Sequence, residues 1–445
     1  MSSDEPSTSA TEPALVRSIG PFQLALYALG SMLGSGIYGL IGKAAGQAGT
    51  AVWLSFLIAL VAALLTALSY ASLGSRYPRA GGAAFATQRA FSSPALSFTI
   101  GLALVCSGLT SVATQSKIFS ANLSALFGLE ALPPSAIALG FILILTGIVF
   151  RGIRESMWVN VLCTLIEASG LLIVIAAGMS YWGTIGYFDI PVEKADTGLA
   201  IVVIQASVLT FFAFIGFEDA INVAEECKDP QRTIPLGLIA ATSMAAVLYI
   251  AVAVTAVSVV PPAELAAAPS PLTEVMRRSA PGFPAWLMTS IALFSVANTA
   301  LVNYITGSRL IYGMSNQGLL PDHLGQVHAE RRTPHYAIVA LLIVLVPLVL
   351  AGSIADLAAA TVLLLLLVFV VVNASLFVLI RRDGEVPGKF EVPSVLPLLG
   401  AVVCGALLVT RLISSDWVAP ALAGGLIAGI LVIYAVLRPE VREAT

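Results

Sequence analysis

The sequence predicts an all-α polytopic membrane protein with 12 transmembrane helices. Three observations predict it. Hydrophobic residues make up 58% of the 445 positions and charged residues only 11%, where a soluble domain carries nearer a quarter charged. The mean hydropathy is +0.95. Apolar runs of roughly 20 residues, the length that crosses a bilayer, recur along the whole chain between Pro, Gly and charged boundaries. This composition excludes a water-soluble globule, a disordered chain and a disulfide scaffold. The net charge of −3, with no basic cluster, excludes a nucleic-acid partner.

The spans run over 20–46, 50–74, 95–127, 134–150, 156–179, 198–226, 233–259, 283–313, 334–352, 355–380, 394–413 and 417–437. The first, third, sixth and eighth are longest and must tilt or break. Residues 1–18 are rich in Ser, Thr, Pro and Glu and read as a disordered cytoplasmic tail, 438–445 read as a cytoplasmic tail, and residues 19–437 read as one transmembrane domain. No loop is long enough to fold separately. With the first tail inside, only Lys43, Lys117, Lys194, Arg277, Arg278 and Arg411 of the 22 basic side chains fall outside. That bias places both termini in the cytoplasm, with the plasma membrane as the expected location. Cys106, Cys163, Cys227 and Cys404 show no metal or disulfide spacing, and His323, His328 and His335 share no ligating face. No metal or cofactor is expected, and no nucleophile–base pair points to an enzyme.

Two spans carry their own interruptions. The first holds Gly30, Ser31, Gly34, Ser35, Gly36 and Gly39. Glycine weakens a helix by about 1 kcal/mol relative to alanine, so Gly34 to Gly36 at mid-membrane predicts an unwound segment. Close helix packing through Gly30 and Gly34 is the other reading. The sixth span places Gly216, Glu218 and Asp219 inside an apolar run, and an acid at that depth must face protein or water. Broken helices at matching positions of two halves mark inverted-repeat transporters. Spans one to five (about 20–179) pair with six to ten (about 198–380), leaving two extra helices at about 394–437. The second half of span one then begins near Ser35 with free N–H groups at a positive dipole end, which suits a carboxylate. The first half of span six ends near Phe214 with free C=O groups, which suit an ammonium. One amino acid zwitterion satisfies both.

The intramembrane acids carry two readings each. Adjacent Glu218 and Asp219 point about 100° apart on a helix. Glu218 reads as a proton carrier or a carboxyl bound to the unwound backbone, and Asp219 as the latter. Glu167, in the fifth span, reads as an ion or proton site or as a partner for the first break. Ser295, Asn298 and Thr299 line a cation site near Gly30 to Leu33 or bond between helices. Lys117 snorkels toward the outer interface. Glu225, Glu226 and Arg309 belong to a charged cluster at the inner end, either an ion-pair network or ordinary positive-inside charge.

The chain resembles the amino acid–polyamine–organocation superfamily of permeases. The likeness rests on Gly34-Ser35-Gly36-Ile37, on Ser69-Tyr70-Ala71 through Tyr77-Pro78-Arg79 to Gly82, and on the run Phe211 to Phe217. The stretch Ala224 to Pro235, and Ser308 to Met314 with Gly318 to Pro321, extend it from about 18 to 437. The resemblance implies the leucine-transporter fold, a 5+5 inverted repeat with two added helices. It places the carboxylate site on Ser35 and Gly36 and the amine-binding carbonyls on Met32, Phe212, Ala213 and Ile215. It makes Phe212 a gate and puts Asn303 in the side-chain pocket. It implies secondary active transport of amino acids by rocking of helices one, two, six and seven. Ser72 stands where many relatives carry Glu, and Glu167 where some proton-coupled relatives carry Lys, so the coupling ion is open. A proton on Glu218 or Glu167, in symport, is the preferred reading, with sodium as the other ion. Exchange of amino acids or polyamines is the alternative mechanism, and a membrane-embedded amino acid sensor the alternative class.

Overall fold

A computed structural model describes residues 15–129, 131–268, 270–351, 353–414 and 417–439. The expected tails at 1–18 and 438–445 lie, apart from 15–18 and 438–439, outside the described residues. Helices follow one another as α1 (Pro21–Met32), α2 (Ser35–Ala48), α3 (Val52–Arg76), α4 (Gly82–Phe91), α5 (Pro94–Phe127), α6 (Pro134–Arg151), α7 (Ile153–Gly178) and α8 (Leu199–Phe211). Then come α9 (Pro230–Val259), α10 (Pro262–Ala267), α11 (Pro271–Ser279), α12 (Ala285–Asn316), α13 (His335–Ala351), α14 (Ile354–Arg381), α15 (Val395–Ser414) and α16 (Val418–Leu437). Among the described residues the β-type pairing is a single parallel bridge, Ile19 to Cys227.

Local chemistry explains the boundaries. Pro21, Pro94, Pro134, Pro230, Pro262 and Pro271 open their helices, where the missing N–H would be unpaired anyway. Ser93 adds a cap on Leu96 N–H at 3.4 Å, and Ser353 caps Asp356 N–H at 3.1 Å. Gly128 closes α5 at φ 65°, a left-handed angle that glycine adopts at no steric cost.

Among the described residues, ten helical stretches are long and apolar enough to cross a membrane. The expected twelve included two that this measure leaves out. The first span is divided between α1 and α2, and α13 is a shorter apolar helix of 17 residues. Span six also differs from expectation past its break. Residues Phe217–Glu226 wind as a 3-10 chain with a kink at Val223, a geometry seldom sustained beyond three or four residues. Helix α4 and the loop helices α10 and α11 were not foreseen; each is short and follows a Pro or Gly turn.

The packing is organised around two long partners. Helix α5 lies against α12 and α14, while α3 lies against α9 and α8. Helix α1 is enclosed by α9, α7, α12 and the 217–226 segment. Helices α15 and α16 are peripheral, against α14 with α3 or α5, and most of their surface faces outward.

One end of the molecule carries Arg76, Arg89 and Arg309, and several bonds close it. Ser18 and Ile19 N–H groups donate to Glu226 O at 2.9 Å, and Lys228 N–H donates to Ile19 O at 3.0 Å. These bonds tie the entry of α1 to the exit of the 217–226 segment. Arg309 of α12 grips Glu226 through Nη2–Oε1 at 3.1 Å and Nε–Oε2 at 3.3 Å, with both side chains at 0% exposure. The loop after α14 clasps α3 and α4. Arg76 donates to Glu391 at 2.8 and 2.6 Å, and Glu385 accepts from Arg89 at 2.8 Å and Tyr77 at 2.5 Å. Burial, then the bond to Glu385, pushes the Tyr77 phenol up to about 12, so it remains a donor. Burial raises Glu385, but its bonds from Tyr77 and Arg89 outweigh that and hold it below the usual carboxylate range.

Removing one partner of a buried pair strands the other charge at a cost of about 3–5 kcal/mol. Arg309→Leu is therefore expected to lower the melting temperature of the purified protein strongly. Adding Glu226→Leu should recover most of the loss. Equal melting of the single variant and the parent would remove the pair from the account of stability.

Candidate functional site

The chain breaks at Leu33 and Gly34 because Gly34 turns to φ −50°, ψ −163°, and α2 restarts at Ser35. The first N–H groups of α2 have no intrahelical partner, and no side chain caps them. The sixth span breaks where Ile215 becomes extended at φ −66°, ψ 140° and Gly216 takes φ 128°. That angle belongs to glycine. The two breaks face each other. A Cβ on Gly36 would lie 3.3 Å from Ala213 Cα, and one on Gly216 would lie 2.7 Å from the Ser31 carbonyl carbon and 2.9 Å from Met32 N. Glycine at both positions is what lets the backbones approach.

Tyr249 of α9 joins the breaks, and sequence reasoning missed it. Its buried hydroxyl lies 2.6 Å from Met32 O and 2.9 Å from Ala213 O. A single O–H proton is shared between two carbonyls, each of which keeps a free lone pair. The ring is fixed edge-on against Phe214 at 5.1 Å and tilted against Phe56 at 5.9 Å. The available signal was slight: one phenol hydroxyl between apolar Leu248 and Ile250, in a span that carries several other hydroxyls.

The expected carbonyls of Met32 and Ala213 thus meet at one place, with Gly36 across from Ala213, while Ile215 forms the extended residue of the break. Phe212 O accepts from Ile215 N–H at 3.3 Å, while the Phe212 ring lies under the Arg411 guanidinium of α15 at 5.8 Å. Ser35 begins α2 at the required point in the backbone. Asn303 of α12 lies against α5. A Cβ on Gly108 of α5 would lie 3.4 Å from its Oδ1, and its Nδ2 donates to Thr299 O at 2.9 Å. One turn earlier, Thr299 meets Gly34, and its hydroxyl is buried without a partner.

The carboxyls divide by their surroundings. Asp219 accepts from the Ser31 hydroxyl at 2.6 Å, binding the 217–226 segment to α1. Glu218 turns back on its own break and accepts from Gly216 N–H at 2.8 Å. Both are buried, and each has its own partner. Glu167 of α7 is at 0% exposure. Its Oε2 accepts from Asn298 Nδ2 at 3.0 Å, while its Oε1 has no partner. Asn298 also reaches Thr164 at 2.9 Å and accepts from Asn160 at 2.8 Å. This polar cluster closes on Gly30, where a Cβ would collide with Thr164 and Asn298. Ser295 donates to Leu33 O at 3.4 Å. Ser295, Asn298 and Thr299 therefore do surround Gly30 to Gly34. Among the described residues no basic side chain pairs with Glu167, and no group of His, Cys, Asp and Glu could hold a metal.

Two interrupted helices with facing glycines thus lie inside an all-helical membrane protein, and comparison with known proteins gives its family. A family model described as amino acid permease matches residues 19–436. The chain belongs to the amino acid permease family, within the amino acid–polyamine–organocation superfamily. It is 28% identical over 419 residues to a branched-chain amino acid permease of Bacillus subtilis (strain 168), covering 88% of each chain. It is 29% identical over 424 residues to a methylthioribose transporter of the same organism, covering 89% of each. A chloroplastic cationic amino acid transporter of Arabidopsis thaliana is 32% identical over 349 residues, 72% of this chain and 59% of that one. This permease is a multi-pass membrane protein of amino acid transport, not an enzyme.

Two variants test the geometry. Gly36→Leu pushes a side chain at the Ala213 backbone and is expected to abolish stabilisation of the protein by its substrate. Retained stabilisation would dismiss the pocket. Tyr249→Phe leaves Met32 O and Ala213 O buried without a donor, which costs about 1–3 kcal/mol. The substrate-free protein should melt correspondingly earlier in a thermal-unfolding assay.

Proposed function

We propose that this permease moves an amino acid zwitterion by alternating access, driven by a proton held on Glu167. The facing breaks carry the reading. The N–H groups at Ser35 and Gly36 receive the carboxylate. The carbonyls of Met32, Phe212, Ala213 and Ile215 receive the ammonium on lone pairs that the Tyr249 hydroxyl leaves free. Fixed dipoles so arranged hold both charges without a buried counter-ion. The bonds joining the entry of α1 to the exit of 217–226 support movement of these two elements as one body with α3 and α9. The two acids nearest the breaks are engaged by Ser31 and Gly216, which supports a neutral rather than cationic substrate side chain. The branched-chain relative supports the same choice. The 5+5 repeat, the inner placement of the arginine-rich end and the plasma membrane location belong to this reading.

Glu167 is a better coupling group than Glu218. Glu218 is held by the backbone it caps, whereas Glu167 keeps one buried oxygen unpartnered. An isolated carboxylate at that depth needs a proton or a cation. A cavity of about 280 Å³ between α2, α5, α11 and α12 supplies a route. Its lining includes Tyr38, whose hydroxyl donates to Glu167 O at 3.1 Å, and Ser295, which lies beside the carboxylate.

Reconstituted liposomes test the reading. Uptake of labelled amino acid should rise as external pH falls, with no response to sodium. Glu167→Gln should flatten the pH profile and preserve counterflow. An unchanged profile removes Glu167 from coupling. Counterflow with no pH or sodium response in the parent identifies an exchanger, and saturable binding without counterflow identifies a sensor.

A further inference from the structure

At the arginine-rich end, a groove of about 510 Å³ opens between the start of α9 and the loop after α14. Its walls are Arg232, Pro235, Leu236, Ile239, Lys389 and Phe390. The two cations stand at its mouth, with side chains 71% and 51% exposed. Both lean on one carboxylate, Asp229, at 4.0 and 3.7 Å. One acid shared at such distances leaves the mouth with a net positive charge. The trough behind it is apolar and continues up the same face of α9. Leu236 is 58% exposed, Met244 42% and Val247 70%, and their spacing of eight and three residues keeps them on one side. They lie on a helix that is long and apolar enough to cross the bilayer, so this ridge faces hydrocarbon.

We infer that this groove binds one anionic glycerophospholipid, its phosphate between Arg232 and Lys389 and an acyl chain along Leu236, Met244 and Val247. Charge and shape select this occupant together. A zwitterionic headgroup lacks the net charge that two interfacial cations attract. A free phosphate has no use for the apolar trough, and a soluble protein cannot reach residues that face hydrocarbon. The bound lipid does structural work as well. Arg232 belongs to α9, and Lys389 to the loop that clasps Arg76 through Glu391. A phosphate diester held by both cations ties that loop to α9. The inference stands apart from the transport mechanism and uses none of the residues at the breaks.

Native mass spectrometry of the full chain, titrated with phosphatidylglycerol and separately with phosphatidylcholine, tests it. One phosphatidylglycerol should be retained in preference to phosphatidylcholine. Arg232→Gln combined with Lys389→Gln should weaken that binding roughly tenfold or more, while Arg151→Gln at the same end should leave it unchanged. Leu236→Glu, at an exposed position, should also expel the lipid. Equal retention of both lipids, undiminished binding in the double variant, or equal loss with Arg151→Gln would overturn the site. Competition by inorganic phosphate at concentrations that saturate the protein would assign the groove to a free anion and overturn the lipid as its occupant.

Discussion

Inside a bilayer no water is present to satisfy a backbone N–H or C=O, so a helix can be interrupted only where protein or a cavity supplies the missing partners. The rest of this structure follows from that constraint. Two interruptions are placed against each other, and each relieves the other. Gly36 and Gly216 bring the strands of backbone within van der Waals contact. Tyr249 supplies one proton to the carbonyls of both breaks, and Glu218 takes the N–H of Gly216. Ser31 and Asp219 then lock the register between the two elements. What is left unsatisfied is the run of N–H groups at the start of α2 and the second lone pairs of a few carbonyls. Those are the groups a zwitterion needs.

The same constraint sorts the charged side chains. A buried ion is tolerated when paired and hydrogen-bonded. Arg309 and Glu226 meet that condition with a two-point contact and no exposure. Asp219 and Glu218 meet it through Ser31 and Gly216. Glu167 meets it on one oxygen alone. That difference in satisfaction separates the acids that hold the breaks in place from Glu167, the acid proposed to carry a proton.

Much of this was legible in advance, and the reasons are local. Gly34 and Gly36 announce a break because a helix with no Cβ there is weak, and Gly216 beside two acids announces the other. Pro21, Pro94, Pro134 and Pro230 mark helix starts through a missing N–H. Counting along α12 singled out Asn303, but spacing alone does not reveal that Thr299, about one turn earlier, is the residue that meets Gly34. Tyr249 was invisible for a different reason. One hydroxyl among several in an apolar span reads alike whether it meets lipid, a neighbouring helix or the site. The 3-10 winding of 217–226 likewise leaves no periodicity in ten residues that differs clearly from an α-helix.

The sequence by itself determined the class of protein and where its helices begin, break and end, because hydropathy, glycine, proline and buried acids act over a few residues of chain. It determined which residues could form the two dipole ends. Only the tertiary structure decided that those ends face each other, which hydroxyl holds them together, and which of three acids keeps one oxygen without a partner. Those outcomes depend on contacts between residues far apart in the chain, Ser31 with Asp219 and Asn298 with Glu167. No local pattern records the geometry that brings them within hydrogen-bonding distance.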